Sequence, residues 1–238
     1  RSRLNYENAP TAPIPSLDSR LLGNDAGDKE IMGRHTPGKV QDMPTKTSVY
    51  IATSLDGFIA RPDGSLDWLD GSGDNETNDH PETQSSGEDY GFKDFMDSID
   101  SMILGRTTFQ QVLKFGEWPY AGKHVIVPSS TLSPEEVPER LQPEVKIANG
   151  EPSELLSLLD IGGYKHAWID GGKTIQRFLR AGLIDEITVS RIPVLIGAGI
   201  PLFGELVRDV DLEHAQTSCF DSGLVQSRYR VVRSSEEH

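Results

Sequence analysis

The order of elements in this sequence predicts an α/β fold, with a largely parallel sheet covered on both faces by helices. Three observations carry that expectation. Short apolar runs alternate with stretches of helical spacing from Ser48 onward, three of the junctions carry glycines, and the end of the chain alternates like an antiparallel hairpin.

The elements follow in order. Ser48 to Thr53 (SVYIAT) reads as a strand ending in the turn-rich Ser54-Leu55-Asp56-Gly57. Between Asp89 and Ile99, the residues Phe92, Phe95, Met96 and Ile99 fall three and four apart on one helical face. Ser101 to Leu104 is a short buried strand and Thr107 to Leu113 a helix; His124 to Val127 and Val145 to Ala148 are strands. A helix runs from Ser153 to Leu159 with Ser153 as its N-cap. Lys165 to Ile169 is a strand entering Gly171-Gly172, Thr174 to Ala181 is a helix stopped by Gly182, and Ile184 to Pro193 is a strand. Leu212 to Phe220 and Leu224 to Val232 form the hairpin, turning at Asp221-Ser222-Gly223.

Residues 1–45 read as a disordered tail. The run Ala9-Pro10-Thr11-Ala12-Pro13-Ile14-Pro15 has no sustained period and cannot bury enough surface to offset its ordering entropy. Met43 is a candidate natural start, which the intact mass of natively expressed protein tests. Residues 46–238 form one folded domain. Within it, Gly71 to Glu88 is polar, glycine-bearing and too long for a mere connection, hence a lid or an insert.

A formal charge of −14 repels phosphodiester backbones and anionic lipid, so nucleic-acid and membrane partners are not expected. A locally basic pocket for a phosphate-bearing cofactor is compatible with that field. The single cysteine, Cys219, cannot form an internal disulfide or a metal cluster, and reads as a small filler in a strand. No apolar run approaches the ~20 residues that span a bilayer, and no export signal opens the sequence. A reducing, cytoplasmic setting and no metal are therefore expected.

The chemistry concentrates at the glycine junctions, because open α/β sheets bind ligands at the carboxyl ends of their strands. In Leu104-Gly105-Arg106-Thr107-Thr108, glycine lets the backbone approach a phosphate and Arg106 offers a planar fork. The alternative is an ordinary turn with a solvated arginine. Ile169-Asp170-Gly171-Gly172-Lys173-Thr174 suits a pyrophosphate, or is a plain Gly-Gly turn. The stretch from Pro193 to Phe203 is apolar yet broken by Gly197 and Gly199, which makes it a shaped wall or a core bulge.

Together these segments resemble the riboflavin-biosynthesis reductases, of the RibD C-terminal type, within the dihydrofolate reductase-like superfamily. Ser54 to Ala60 resembles their first-strand signature, and Leu104 to Phe109 the Gly-Arg-x-Thr element of dihydrofolate reductases. Asp170-Gly171-Gly172-Lys173 with Phe178-Leu179, then Gly182 to Glu186 and Pro193 to Phe203, are similar to the riboflavin-type enzymes. The resemblance covers Thr47 to Val232. It implies a three-layer sandwich and NADPH-dependent reduction of a small heterocycle, most like 5-amino-6-(5-phosphoribosylamino)uracil. It also implies a homodimer. The alternatives are a dihydrofolate reductase, a non-catalytic NADP-binding protein and a plain interaction domain.

By the same resemblance, Ala52 and Ile59 bracket the nicotinamide. Gly105, Arg106, Thr107 and Thr108 bind cofactor phosphates, with Arg106, Ser129 and Ser130 at the 2′-phosphate. Gly171, Gly172, Lys173 and Thr174 form the pyrophosphate cradle, and Ser190 is a substrate-side hydroxyl. The proton donor is expected to be a buried carboxyl with a raised pKa. Counting back from the Gly-Arg element places it at Asp89, early in the preceding helix, with Asp56 as second candidate. A helix-start carboxylate and a turn former are their structural alternatives. The chain departs from folate reductases in carrying Asp170 in place of a glycine, and Asp67-Trp68-Leu69 in place of a Trp-Pro loop. The deaminase zinc signature does not occur in it, which weighs against a bifunctional deaminase–reductase.

Overall fold

The computed structural model describes residues 44–69 and 89–233. Residues 1–43 of the tail expected over 1–45, and the whole polar segment Gly71 to Glu88, lie outside the described residues. Thr45, however, belongs to the folded part. It is buried, and its amide and hydroxyl both donate to Asp160 Oδ1, at 2.7 and 2.6 Å.

The elements are β1 (Lys46–Ser54), β2 (Phe58–Ala60), α1 (Phe92–Ser98), β3 (Ser101–Leu104), α2 (Arg106–Leu113), β4 (His124–Pro128), β5 (Val145–Ala148), α3 (Pro152–Ile161), β6 (His166–Asp170), α4 (Gly172–Arg180), β7 (Glu186–Ile192), β8 (Ile200–Pro201), β9 (Leu212–Cys219) and β10 (Val225–Val231). Eight strands form one sheet in the order β5-β4-β3-β6-β1-β7-β10-β9. The first six run parallel, and β10 and β9 close the edge antiparallel. β2 and β8 pair separately as a two-stranded ribbon.

Strand residues alternate between two cores, as the two-residue period of a sheet covered on both sides requires. Ile103, Ile126, Ile169 and Val49 pack with Leu155 and Leu159 of α3 and Ile175 and Phe178 of α4. Met102, Leu104, Val125, Val127 and Trp168 face the other way, against Phe109 of α2 and the partly buried Phe92 and Phe95 of α1. The result is a three-layer α/β sandwich. Phe109 and Phe178 anchor the two layers; both are fully buried, and truncating either to alanine should cost about 3–5 kcal/mol.

Several local expectations are corrected. The α3 helix begins at Pro152 and is N-capped by Glu151, whose backbone N–H donates to the Glu154 carboxylate at 2.7 Å, so Ser153 lies inside the first turn. Proline at the first helical position has no orphan N–H to lose. Cys219 is in a strand but exposed, because β9 is the sheet edge. The apolar stretch from Pro193 to Phe203 holds β8. Just before β8, Gly199 passes so near β2 that the Ala60 carbonyl oxygen leaves no room for a Cβ.

Candidate functional site

Because six strands are parallel, their carboxyl ends share one edge of the sheet. β1 pairs with β6 only as far as Ser48 opposite Trp168, although β6 continues to Asp170 and β1 to Ser54. Their pairing stops there, where strand order switches direction, at the end of the sheet that such folds use for ligands.

Two glycine turns form one wall of this edge. Leu104 and Asp170 end β3 and β6 opposite each other, and the Gly105 N–H donates to the Asp170 carbonyl at 2.9 Å. Gly105 and Gly171 are the N-caps of α2 and α4, and neither helix has a side-chain cap. A Cβ on Gly105 would meet Thr174 Oγ1 at 2.8 Å, and one on Gly171 would meet Thr108 Oγ1 at 2.9 Å and Gly105 Cα at 3.2 Å. Gly171 also holds φ +94°, a region L-residues avoid. The turns therefore lie back to back, with two helix N-termini side by side and their first amides uncapped. Gly172 is equally close to the ribbon, since its added Cβ would lie 2.7 Å from Ile59 Cδ1.

Arg106 leaves the first turn of α2 and is exposed; its Nη1 donates to Thr131 Oγ1 at 2.6 Å. Thr131 lies in the loop after β4, where Ser129 Oγ accepts from the amides of Thr131 (3.2 Å) and Leu132 (2.9 Å). Arg106 and Ser129 are thus brought to one place, with Ser130 exposed between Ser129 and Thr131. Sequence reasoning named the two serines and passed over Thr131, the third hydroxyl of the same run. Lys173 and Thr107 are exposed on the first turns of α4 and α2, and Thr174 is buried between the two turns. These residues suit a phosphorylated dinucleotide: paired amide-rich turns with no room for a Cβ, and a guanidinium next to hydroxyls.

The expected acids are placed differently from expectation. Asp89 precedes α1 instead of lying within it and is exposed; its carboxylate accepts from the amides of Gly91 (2.9 Å) and Lys93 (3.1 Å), as a helix-start acceptor. Asp56 is also exposed, and it accepts from Ser54 Oγ (2.6 Å) and from the amides of Gly197 (2.8 Å) and Ile196 (3.3 Å). The Ser54 hydrogen bond and those amides hold its carboxyl below the usual range, so it is an ionised clasp between the turn after β1 and the loop after β7. Neither is a buried carboxyl of the kind anticipated.

That description fits Asp170, noticed in the sequence only as a departure from a glycine pattern. Its side chain shares the sheet face of Trp168 and Leu104, at the carboxyl end of β6. Dense surroundings push its carboxyl up to about 6, against a smaller opposing pull from the Gly171 amide. The nearby Tyr120 hydroxyl is raised by burial and, secondarily, by the charge of Asp170. Tyr120 packs edge-on against Trp118 and Trp168, centroids 5.1 and 5.7 Å apart, and both indole N–H groups are buried without a hydrogen-bond partner. A buried carboxylate closing a strand before Gly-Gly was the available signal.

Ala52 and Ile59 are half-buried, on β1 and β2. Ser190 is buried on β7 directly opposite Ala52 in the register. Among the described residues no cluster suited to a metal ion occurs, and no helix is long and apolar enough to cross a membrane.

Strand order, the helices on either face and the antiparallel edge define the dihydrofolate reductase-like class of α/β sandwiches. Within that class the chain belongs to the RibD C-terminal domain family, whose model matches residues 45–226. It is 35% identical to the uncharacterized protein YwjB of Bacillus subtilis over 76% of this chain and 96% of that one. A provisionally named riboflavin biosynthesis protein of Shewanella sp. PV-4 superposes with a TM-score of 0.69 at 37% identity, covering 79% of this chain and 100% of that one. An Enterococcus faecalis dihydrofolate reductase complexed with NADP(H) shares the fold, with a TM-score of 0.53 at 18% identity over 78% of this chain and 96% of that one.

Proposed function

We propose that this chain is an NADPH-dependent reductase of a pyrimidine- or pteridine-type heterocycle, most like the 5-amino-6-(5-phosphoribosylamino)uracil reductases. The observation that carries the reading is the back-to-back packing of the Gly105 and Gly171 turns beside Arg106 and Thr131. Family membership and the Shewanella relative support the riboflavin-type substrate over folate.

Bound NADPH would supply a hydride. The amides at the starts of α2 and α4 would hold its pyrophosphate, and Arg106, with the hydroxyls of Ser129, Ser130 and Thr131, its 2′-phosphate. Reduction of a C=N bond adds hydride to carbon and a proton to nitrogen. Asp170, half-protonated near pH 6 and placed at the carboxyl end of β6, is the proposed source of that proton, directly or through water. It replaces Asp89 and Asp56 in that role, since each of those is an exposed acceptor of backbone amides.

NADPH oxidation measured with 5-amino-6-(5-phosphoribosylamino)uracil, and separately with dihydrofolate, tests the proposal. Turnover of the pyrimidine alone is expected. NADPH binding without oxidation by either compound would leave a non-catalytic NADP-binding protein.

A further inference from the structure

A polar network lies on the α1 face of the sheet, apart from the glycine turns. Ala52, Ser190 and Gln226 are register neighbours across β1, β7 and β10. Gln226 Nε2 lies within donating reach of Tyr50 Oη at 2.8 Å, Ser190 Oγ at 3.0 Å and the Tyr90 carbonyl at 3.1 Å; its two N–H protons go to Tyr50 and Ser190, because the Tyr90 carbonyl is already served by the Tyr50 hydroxyl. The Tyr90 carbonyl is an obligate acceptor, so the end of the amide that faces it must be the NH2 group. That fixes which way the Gln226 amide is turned. Tyr90, at φ +54°, also receives the Tyr50 hydroxyl at 2.7 Å, so its carbonyl does not depend on Gln226.

The consequence falls on Ser190. Its oxygen already accepts from Gln226, so its own proton must be directed elsewhere, and among the described residues it has no acceptor. Ser190 is only 6% exposed. A buried hydroxyl in this state is a donor awaiting a partner, and an unmet buried donor is costly.

We infer that Gln226 is a positioning residue that fixes the Ser190 hydroxyl as a hydrogen-bond donor to the substrate, selecting a carbonyl oxygen or an unprotonated ring nitrogen beside Ala52. This rests on the reductase reading and adds to it a determinant of substrate orientation contributed by β10.

The test uses Gln226→Met, Gln226→Glu, Ser190→Ala and Ser190→Thr, assayed with NADPH and 5-amino-6-(5-phosphoribosylamino)uracil. Gln226→Met and Ser190→Ala should each raise KM about 10-fold, with kcat and NADPH affinity little changed. The double variant should be no worse than Ser190→Ala alone, and Ser190→Thr, which keeps the hydroxyl, should have a lower KM than Ser190→Ala. In Gln226→Glu the KM should climb with pH, because an ionised carboxylate accepts the Ser190 proton and reverses the polarity offered to substrate. A merely structural brace would give no such pH dependence. Unchanged KM in the Gln226 variants of an active enzyme, or additive effects in the double variant, would overturn the inference alone. A wild-type protein that binds NADPH yet neither turns over nor binds this pyrimidine by calorimetry overturns the reductase reading and the inference with it.

Discussion

The two sides of the candidate site, at the carboxyl ends of the strands, are built in different ways. On the β3–β6 side, backbone does the work: Gly105 and Gly171 are pressed together so closely that neither has room for a Cβ, and helix amides are left uncapped. On the β1–β7–β10 side, side chains do it, through Tyr50, Ser190 and Gln226, with Asp170 at the boundary. A backbone-built wall constrains residue type severely and leaves a glycine spacing in the sequence. A side-chain wall depends on which strands become neighbours, which no local pattern records.

The largest expected effect breaks the boundary itself. Asp170→Asn should lower kcat by about 10²–10⁴-fold while leaving NADPH affinity near the wild-type value. In the wild type, kcat should fall as pH rises above about 6, the value to which burial pushes this carboxyl, and the variant should lose that limb. The same shift acts on stability. The native state holds the proton more tightly than an exposed aspartate of pKa 3.8 does, so this contribution is complete below about pH 4 and is lost as pH climbs through about 6. At about 1.4 kcal/mol per unit the loss is on the order of 3 kcal/mol, and it should be absent from urea titrations of Asp170→Asn.

Gly171→Ala strikes the backbone wall. With φ +94° and a Cβ 3.2 Å from Gly105 Cα, it should weaken NADPH about 100-fold and cost roughly 1–2 kcal/mol of stability, read by cofactor titration and thermal unfolding. Arg106→Ala is narrower, weakening NADPH roughly 10- to 100-fold and NADH far less, since only NADPH carries the extra phosphate. Equal weakening of both would remove the role assigned to Arg106. Smallest of all, Asp56→Asn and Asp89→Asn should keep kcat within about 3-fold, well short of what loss of a general acid does. Faster amide exchange at Ile196 and Gly197 should mark the loosened Asp56 clasp.

The same contrast explains what the sequence disclosed. The six parallel strands and the hairpin were legible because each is an apolar or alternating run bounded by glycine or polar turns. β2 and β8 were not, being three and two residues long and defined only by each other. The paired glycine turns were legible as Gly-Arg-Thr-Thr and Gly-Gly-Lys-Thr, and Thr131 beside Arg106 escaped. Counting along the chain led to Asp89 at a helix start, whereas a raised pKa comes from burial, which Asp170 acquires where β6 meets β3 and the aromatic loop around Tyr120. Gln226 was invisible for a related reason. It lies far along the chain from Tyr50 and meets it only through the insertion of β7 between β1 and β10.

Trp168 lies two residues before Asp170 on the same sheet face, in ring contact with Tyr120. The chain has three tryptophans, and this one is enclosed within the sandwich. Its ultraviolet emission should therefore respond when the end of β6 changes its electrostatic surroundings, and should transfer energy to a reduced nicotinamide lodged nearby. Comparison with Trp168→Phe, which keeps Trp68 and Trp118, isolates the share of the emission that reports on this end of β6.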